Sequence, residues 1–435
     1  MPSSITRRQL MAAGTALSCA AIMPGVRIVR AAERSKLAVA VEQAVRAAVD
    51  SGDIPGVVAQ VWHNGALAAD TAAGWLDVEN KIAMDGAAIF GIASMSKPVT
   101  VALALKLVDE GKLRLEDPIT RWAPELADMR VLRRPDGPLD DTVPAARPIT
   151  VEDLMTHRSG LAYGFTTPPP LGAALLARLG FGLSSDLTPD AWLKALAELP
   201  LVYQPGERFN YGHSIDVLGF VAARALGTDL HRAMREQLFA PLGMDDTGFW
   251  IPPEKRARIA KFYISTQPGQ FMPSSVDSFT TESPMAYASG GQGLASTAGD
   301  YLRFARMLMN DGRLDGTRLL KPETARLLRS NRMTDAQRKL PFIGGLPFTQ
   351  GFGLGVAVVV DETQPGTVTG RAGTFGWPGA FGGWWQADPQ EELILVWLQE
   401  CTPAPPQPGA AGMPRMPGAQ GQRQFRQAVY EAINA

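Results

Sequence analysis

Strand-like segments near both ends of the chain enclose a long stretch of helical sequence. Residues 57–72 read as two strands joined at His63-Asn64-Gly65, and Asn-Gly is among the strongest short-range signals for a β-hairpin. Apolar runs typical of strands return late, most clearly at 353–360 and 393–398. The sequence between 94 and 252 has mainly helical spacing. This order predicts an α+β fold in which one sheet takes strands from both chain ends and a mostly helical domain is inserted between them.

The same pattern predicts where the parts of the chain begin and end. We expect residues 35–93 and 257–435 to form a sheet domain and residues 94–256 to form the inserted helical domain. Residues 402–422 are dense in proline and glycine, which predicts a solvated loop. A last helix is expected at 423–433, so the loop would separate it from the last strand.

The charge balance argues against polyanionic partners. The 435 residues carry 42 basic and 43 acidic side chains, a formal net charge of −1, so neither nucleic acid nor an anionic membrane is an expected partner. The two cysteines, Cys19 and Cys401, form no C-x-x-C pair, which excludes a zinc ribbon or a thioredoxin-type site. The four histidines are not spaced like metal ligands. We therefore expect neither a metal nor another cofactor.

The first residues resemble an export signal. Arg7 and Arg8 precede an apolar run at residues 11–23, which is too short to cross a bilayer as a mature helix. Paired arginines before a mildly apolar segment are typical of twin-arginine signal peptides, so residues 1–31 are predicted to direct the protein to the periplasm without stable membrane insertion. A cytosolic N-terminal helix with a chance arginine pair is one alternative, and a lipoprotein site at Cys19 is another.

The tetrapeptide Ser94-Met95-Ser96-Lys97 follows an apolar segment and opens a predicted helix that ends near Gly111. Residues three apart share a helix face, so the side chains of Ser94 and Lys97 can touch. A serine hydroxyl becomes a strong nucleophile when a base removes its proton, and a buried lysine can be that base. The positive end of the helix would favour the negative charge that develops there. Alone, this motif is also compatible with a capped helix and a surface lysine.

Two later segments contain residues that could complete such a site. Tyr211-Gly212-His213 begins a predicted helix, and a tyrosine close to the ammonium of Lys97 could shuttle the serine proton. The segment at 375–382, Phe-Gly-Trp-Pro-Gly-Ala-Phe-Gly, is glycine-rich, so a strand edge there can approach a substrate closely and offer a backbone N–H to an oxyanion. Read singly, the tyrosine could cap a helix, and the second segment could be an ordinary glycine-rich strand.

The order of the three motifs, S-x-x-K, then Y-x-[N/H], then [K/H/W]-x-G, resembles the penicillin-recognising serine hydrolases, the β-lactamase-like superfamily. Residues 149–161 and 289–298 resemble two further segments of that group, LLTHTSGL and SGGGGLxST. The resemblance spans roughly residues 37–398 and is greatest to the class C-like branch with the family VIII carboxylesterases, which often carries W-x-G. It implies a β-lactamase-like fold, in which helices flank an antiparallel sheet and a mostly helical domain is inserted.

The resemblance also implies a role for the motif residues. Ser94 corresponds to the nucleophile, and Lys97 and Tyr211 correspond to the base system that activates it. The backbone amides of Ser94 and Ala380 correspond to an oxyanion hole, the pair of donors that stabilises the tetrahedral intermediate. Gly379 precedes Ala380 and is expected to line the substrate.

Two positions depart from the pattern of the superfamily. Trp377 replaces the lysine that holds the carboxylate of a β-lactam, so an anionic substrate would lose a charge-assisted contact worth about 1.5–3 kcal/mol. The indole offers flat apolar surface instead, which predicts a substrate contact of a different kind. His213 stands at the asparagine position of the second motif and is a further candidate for substrate binding.

These features predict a serine hydrolase that acts on a small-molecule ester through an acyl-enzyme, with carboxylesterase as the main interpretation. β-Lactamase, D-stereospecific peptidase or amidase, and acyl transfer to an alcohol are alternatives, as is a non-catalytic β-lactam sensor on the same fold. An α/β-hydrolase is disfavoured because no G-x-S-x-G pentapeptide occurs. Five aromatic residues are candidates for a substrate pocket: Tyr163, Phe165, Trp250, Phe381 and Trp384.

Overall fold

The computed structural model describes residues 31–275, 279–340, 349–404 and 415–435. The predicted signal peptide, residues 1–31, lies outside this part of the chain except for its last residue, at which the first helix begins. Within the described ranges, no helix is both long enough and apolar enough to cross a membrane.

Most strands are short, and the longest lie near the two ends of the chain. In chain order, the strands β1 to β17 are Gly56–His63, Ala66–Asp77, Ile82–Ala83, Phe90–Gly91, Arg130–Leu132, Thr142–Pro144, Tyr263–Gln267, Gln270–Pro273, Ala295–Ser296, Arg313–Leu314, Thr317–Arg318, Gly351–Phe352, Ala357–Val358, Phe375–Gly376, Trp384–Asp388, Leu393–Leu398 and Cys401–Pro403. The helices α1 to α12 are Ala31–Asp50, Ser96–Asp109, Val151–Met155, Leu171–Leu179, Pro189–Ala197, Ser214–Leu226, Leu230–Met234, Ala240–Leu242, Ala298–Met309, Pro322–Leu328, Asp335–Arg338 and Ala419–Ile433. Helices α2 to α8 lie between β4 and β7, in the stretch with helical spacing.

The central sheet takes strands from both ends of the chain. Its order is β12-β13-β14-β15-β16-β1-β2-β3, and neighbouring strands are antiparallel. β1 lies beside β16, with Val58 opposite Leu398, although the two strands come from opposite ends of the sequence. β1 and β2 meet in a turn where Asn64 and Gly65 both have positive φ, as a type I′ hairpin requires. The predicted α+β fold is therefore confirmed.

The two faces of the sheet are covered by different helices. Side chains alternate along β16, so Leu395 and Trp397 join the apolar cluster under α1 and α12, which we call the outer face. Ile394 and Val396 point the other way, into the larger core that contains α2, α6 and α9, which we call the inner face. Because both faces are covered, β16 is apolar throughout rather than alternating with polar residues.

Two local predictions were wrong. Residues 353–360 do not form one strand, because the chain turns at Gly355 (φ 78°) and β12 and β13 pair as a hairpin. The predicted loop at 402–422 is wrong at both ends, where it includes most of β17 and the first residues of α12, and its residues 405–414 lie outside the described part of the chain. β17 pairs in parallel with β7, and α12 begins directly after Gly418, whose φ is 78°. Proline and glycine content indicated the turns here but carried no information about which backbone groups would pair.

Candidate active site

Ser94 lies at a sharp transition from strand to helix. β4 ends at Gly91, and Ala93 has a φ of 42°, a left-handed conformation that is uncommon for a residue with a side chain. The segment Ala93–Met95 forms a 3₁₀ turn that leads into α2. A backbone N–H in such a first turn has no acceptor within the helix, so the amide of Ser94 can donate to another group. Ser94 keeps 8% of its surface exposed, whereas Lys97 on the next turn is fully buried.

The side chain of Lys97 reaches back to Ser94 along α2. Its Nζ donates to Ser94 Oγ at 3.0 Å and to the carbonyl oxygen of Gly291 at 2.9 Å. One turn further along α2, Thr100 Oγ1 donates to the carbonyl oxygen of Gly290 at 2.6 Å. The two neighbouring side chains therefore fix α2 to the glycine-rich segment that precedes β9, and they hold the ammonium beside the serine hydroxyl.

Tyr211 approaches Ser94 from the loop before α6. Its hydroxyl donates to Ser94 Oγ at 2.8 Å, and Lys97 Nζ lies 4.6 Å from the centre of the Tyr211 ring. Beside it, the N–H of Gly212 donates to His157 Nδ1 at 3.4 Å, and the rings of His157 and Tyr211 are 4.7 Å apart. Burial and the charge of Lys97 lower the pKa of His157 well below its usual value, so this imidazole is neutral and packs as a support for the tyrosine.

Trp377 contacts Tyr211 from the end of β14. It is 3% exposed, and its ring packs against the rings of Tyr211 and Phe352 at centroid distances of 5.5 Å and 5.3 Å. The indole N–H donates to the Tyr211 hydroxyl oxygen at 3.3 Å. The sequence predicted an apolar surface for the substrate at this position. The structure adds a hydrogen bond to the tyrosine, which places Trp377 among the groups that set the electrostatics of the site.

Gly379 and Ala380 follow Trp377 in a turn that runs close to the serine. A Cβ at Gly379 would lie 2.5 Å from the carbonyl oxygen of Ile92, so only glycine permits this close approach to the segment before Ser94. The N–H of Gly379 donates to the Gly383 carbonyl at 2.7 Å and is therefore occupied. Ala380 is exposed, and its N–H has no acceptor among the described residues, which leaves it able to donate to a bound group.

Asp216, which the sequence analysis did not identify, is the centre of a buried polar network. Its Oδ2 accepts from His213 Nδ1 at 3.0 Å and from the hydroxyl of Tyr163 at 3.3 Å. Its Oδ1 accepts from Ser289 Oγ at 2.5 Å and from the N–H of Gly291 at 3.0 Å. His213 is fully buried, so its predicted role in substrate binding is not supported: its imidazole pairs with Asp216 instead.

The network keeps Asp216 ionised. Burial alone would raise the pKa of this carboxyl, but the hydrogen bond and charge of His213, together with the charge of Lys97, lower it below the usual value. Burial and the neighbouring Asp216 charge raise the pKa of Tyr163 well above its usual value, so this phenol stays protonated and acts as a donor. The centre of the site thus contains a buried carboxylate close to a buried ammonium.

The five aromatic candidates do not form one pocket. Tyr163 and Phe165 stack at 5.0 Å beside Tyr211 and belong to the site. Trp384 belongs to the apolar cluster on the outer face of the sheet. Trp250 donates to the Thr281 carbonyl, and Phe381 packs on Phe262. Of the five candidates, Tyr163 and Phe165 are therefore the two that pack beside Tyr211, as Trp377 also does.

The chemistry of the site follows from a serine hydroxyl held between a phenol and an ammonium. Among the residues that the structure describes, no group of three or more histidine, cysteine, aspartate or glutamate side chains could hold a metal ion. Ser94 Oγ lies within hydrogen-bond distance of two groups that can exchange a proton, Lys97 and Tyr211. Such a cluster can deprotonate the serine and return the proton to a leaving group, which is the requirement for acyl transfer.

Comparison with known proteins assigns the family. The Beta-lactamase family model matches residues 41–412. Protein Rv1367c of Mycobacterium tuberculosis is 46% identical over 365 residues, which cover 83% of this chain and 89% of that protein. Esterase EstB of Burkholderia gladioli is 31% identical over 371 residues, covering 79% of this chain and 85% of EstB.

The solved structure of EstCE1, described as a hydrolase with promiscuous acyltransferase activity, superposes with a TM-score of 0.75 at 27% identity. The match covers 91% of this chain and 99% of EstCE1. The chain therefore has the β-lactamase-like fold expected from its motifs and belongs to the Beta-lactamase family of serine hydrolases.

Proposed function

We propose that this protein is a carboxylesterase that hydrolyses neutral acyl esters through an acyl-enzyme on Ser94. One observation carries the proposal: Ser94 Oγ lies 3.0 Å from Lys97 Nζ and 2.8 Å from the Tyr211 hydroxyl. A serine with two proton-exchanging partners at these distances has the geometry of an activated nucleophile.

The first half of the reaction forms the acyl-enzyme. In the reactive form, the pair of Lys97 and Tyr211 holds one proton fewer than an ammonium plus a phenol, and it takes the proton of Ser94 as Oγ attacks the ester carbonyl carbon. The Lys97 ammonium and the indole N–H of Trp377 both favour negative charge on the Tyr211 oxygen, which supports the tyrosine as the immediate acceptor. The N–H groups of Ser94 and Ala380 hold the oxyanion. The C–O bond to the alcohol then breaks, and the alcohol leaves with the proton that Ser94 lost.

The second half releases the acid. Water gives a proton to the same Lys97–Tyr211 pair while its oxygen attacks the acyl carbon. The bond to Ser94 Oγ breaks, and the proton returns to Ser94. An alcohol in place of water would give a new ester by the same steps. Acyl transfer is therefore a second candidate activity, favoured by the similarity to EstCE1, a hydrolase with promiscuous acyltransferase activity. The esterase EstB supports hydrolysis as the main activity.

The preference for neutral esters rests on Trp377. Relatives that bind β-lactams carry a lysine at this position of the third motif, whereas this chain has an indole whose N–H donates to Tyr211. A carboxylate bound here would lose its hydration without gaining an opposite charge from Trp377, which is unfavourable. An ester without a carboxylate avoids that loss.

A panel of chromogenic substrates tests the proposal. Purified protein is assayed with p-nitrophenyl acetate and butyrate, nitrocefin, and a D-amino acid amide, and the readout is kcat/KM with burst amplitude. We expect the esters to react best and to show a burst of p-nitrophenol equal to the active sites if deacylation is slow. Efficient hydrolysis of nitrocefin would favour a β-lactamase. A stoichiometric burst with nitrocefin and no turnover of any substrate would indicate a β-lactam sensor.

A further inference from the structure

Two buried side chains of opposite charge contact opposite ends of one residue, Gly291. Lys97 Nζ donates to the Gly291 carbonyl oxygen at 2.9 Å. The Gly291 N–H donates to Asp216 Oδ1 at 3.0 Å. Both Lys97 and Asp216 are fully buried. The ammonium and the carboxylate are therefore connected by two hydrogen bonds through a single stretch of backbone.

The close approach depends on the glycine. A Cβ at Gly291 would lie 2.9 Å from both Asp216 Oδ1 and the hydroxyl oxygen of Tyr163. A larger residue would push the backbone away from the carboxylate and move the carbonyl that Lys97 contacts. The neighbouring Gly290 carbonyl is held by Thr100, so the segment is fixed on the side of α2 as well.

This arrangement places a negative charge near the ammonium of Lys97. A buried ammonium is costly without an opposite charge, and hydrogen bonds to neutral carbonyl and hydroxyl oxygens satisfy its protons without neutralising it. The titratable side chains facing Lys97 and Asp216 from the surrounding elements are His157, Tyr163, Tyr211, His213 and Tyr287. The phenols of Tyr163 and Tyr287 are held protonated by burial and by the Asp216 charge, and His157 is held neutral. Tyr211 belongs to the reacting pair itself, and His213 contacts Oδ2 of Asp216, whereas Oδ1 accepts from the Gly291 N–H on the side of the ammonium. Outside the reacting pair, the Asp216 carboxylate is therefore the anionic group in this set that can offset the ammonium.

We propose that Asp216 is the counterion of Lys97 and that, through the backbone of Gly291, it positions the ammonium for the reaction at Ser94. Asp216 is a positioning residue, since it is fully buried and makes no contact with Ser94 among the hydrogen bonds described above. The assignment rests on the proposed function in that it concerns the same site, but the charge coupling itself can be measured without any substrate.

The first test is a thermal double-mutant cycle on the full-length protein. The variants are Asp216→Asn, Lys97→Met and the double variant, and the readout is the melting temperature. If the two charges compensate each other, either single change leaves an uncompensated buried charge, whereas the double change removes both. We expect the double variant to lose much less in melting temperature than the sum of the two single losses, and to fold even if Asp216→Asn alone does not. Additive losses, or a double variant that also fails to fold, would contradict the proposal.

The second test is the pH profile of kcat/KM with p-nitrophenyl butyrate. Without the carboxylate, the ammonium form of Lys97 is less favoured, so the inflection governed by the Lys97–Tyr211 pair should move to lower pH by about one unit or more in Asp216→Asn. We expect kcat to fall by roughly 10²-fold, the size of effect typical of a disturbed general base, with a smaller change in KM. Ser289→Ala is the matched control. It removes a neutral hydrogen bond to Asp216 Oδ1, the oxygen that also accepts from the Gly291 N–H, and it leaves the charge of the carboxylate in place.

The control separates charge from structure. In Ser289→Ala the inflection should stay within a few tenths of a pH unit of its original position. An equal shift in both variants, or no shift in a folded Asp216→Asn, would contradict the proposal even if the protein is an active esterase. If no ester is turned over at all, the proposed function fails while the melting cycle still decides the charge coupling.

Discussion

The outer and inner faces of the central sheet differ in the kind of side chain that they bury. The outer face is an apolar cluster in which Val41, Phe425 and Val429 of the terminal helices cover the strands. On the inner face, Lys97 and Asp216 are buried as completely as those apolar residues. Removing apolar surface from water stabilises the fold by about 25 cal/mol per Å², whereas burying an ion pair contributes little or is unfavourable. Apolar burial therefore stabilises the fold on both faces, and the inner face gives up some of that stability where Lys97 and Asp216 are buried.

The largest expected effect separates activity from stability on the inner face. Ser94→Ala removes the nucleophile and should lower kcat for p-nitrophenyl butyrate by roughly 10⁴-fold or more. The loss of one small hydroxyl should leave the circular dichroism spectrum and the melting temperature close to those of the unchanged protein. Activity retained within tenfold, in enzyme free of contaminating esterase, would show that another residue attacks the ester.

The outer face should show the reverse behaviour. Phe425 on α12 is fully buried and packs on Trp397 at 5.4 Å, so Phe425→Ala should destabilise the fold by about 3–5 kcal/mol. At a temperature where the variant is folded, kcat should stay within twofold, because the change lies on the opposite side of the sheet. The exposed neighbour Gln424 provides the control, and Gln424→Ala should change neither quantity in urea unfolding or in the ester assay. A large loss of kcat in folded Phe425→Ala would break the separation of the two faces.

A buried carboxyl near the site tests whether a group this deeply buried can stay ionised without a partner of opposite charge. Glu400 is 3% exposed; its Oε2 accepts from the Gly91 N–H at 2.8 Å, and its Oε1 has no partner among the described residues. Burial raises the pKa of Glu400 well above 4.5, so the folded protein keeps a proton that the unfolded chain releases. The stability that this proton linkage provides is complete below about pH 4.5 and is lost as the pH rises towards the raised pKa.

Glu400→Gln removes this titration while keeping an acceptor for Gly91. The free energy of unfolding of the variant, minus that of the unchanged protein, should therefore increase with pH by up to about 1.4 kcal/mol per unit above pH 4.5. Urea unfolding at several pH values between 5 and 8 gives this difference. A difference that does not depend on pH would mean that Glu400 is ionised in the folded protein.

The smallest predicted effect concerns substrate choice. Trp377→Lys places an ammonium where relatives hold the carboxylate of a β-lactam, and it also removes the indole donor to Tyr211. The ratio of kcat/KM for nitrocefin to that for p-nitrophenyl butyrate should rise about tenfold if the new charge supplies ~1.4 kcal/mol in the transition state. The ratio is compared because losing the indole donor to Tyr211 should lower kcat/KM for both substrates. Trp377→Phe, which removes the donor and adds no charge, should leave the ratio unchanged.

The sequence predicted the fold, and the contact between Ser94 and Lys97, because both had a local signal. The strand pattern at both chain ends indicated a shared sheet, and the three-residue spacing of Ser94 and Lys97 indicated a shared helix face. The contact of Tyr211 with Ser94 could not come from spacing, since 117 residues separate them. That contact was expected from the order of the motifs in related enzymes.

The residues that the sequence-based predictions overlooked or misplaced also have physical explanations. Asp216 was overlooked although a signal existed: a carboxylate in the otherwise apolar start of α6 is a buried charge that requires partners. Its partners Tyr163 and Ser289 come from distant segments, so the network is visible only in the fold. Trp384 was assigned to the pocket because composition does not tell which face of a strand a residue occupies. A shift of one residue moves a side chain from one face to the other.

Covalent labelling of Ser94 is the most direct test of its role as the nucleophile. A fluorophosphonate is incubated with the unchanged protein and with Ser94→Ala, and intact mass spectrometry is followed by peptide mapping. We expect one adduct per chain on the unchanged protein, located on the peptide that contains Ser94, and none on the variant. Reaction with p-nitrophenyl butyrate, quenched in acid, should leave a butyryl group on the same peptide. An adduct on Ser94→Ala, or labelling that maps to another residue, would show that Ser94 is not the nucleophile.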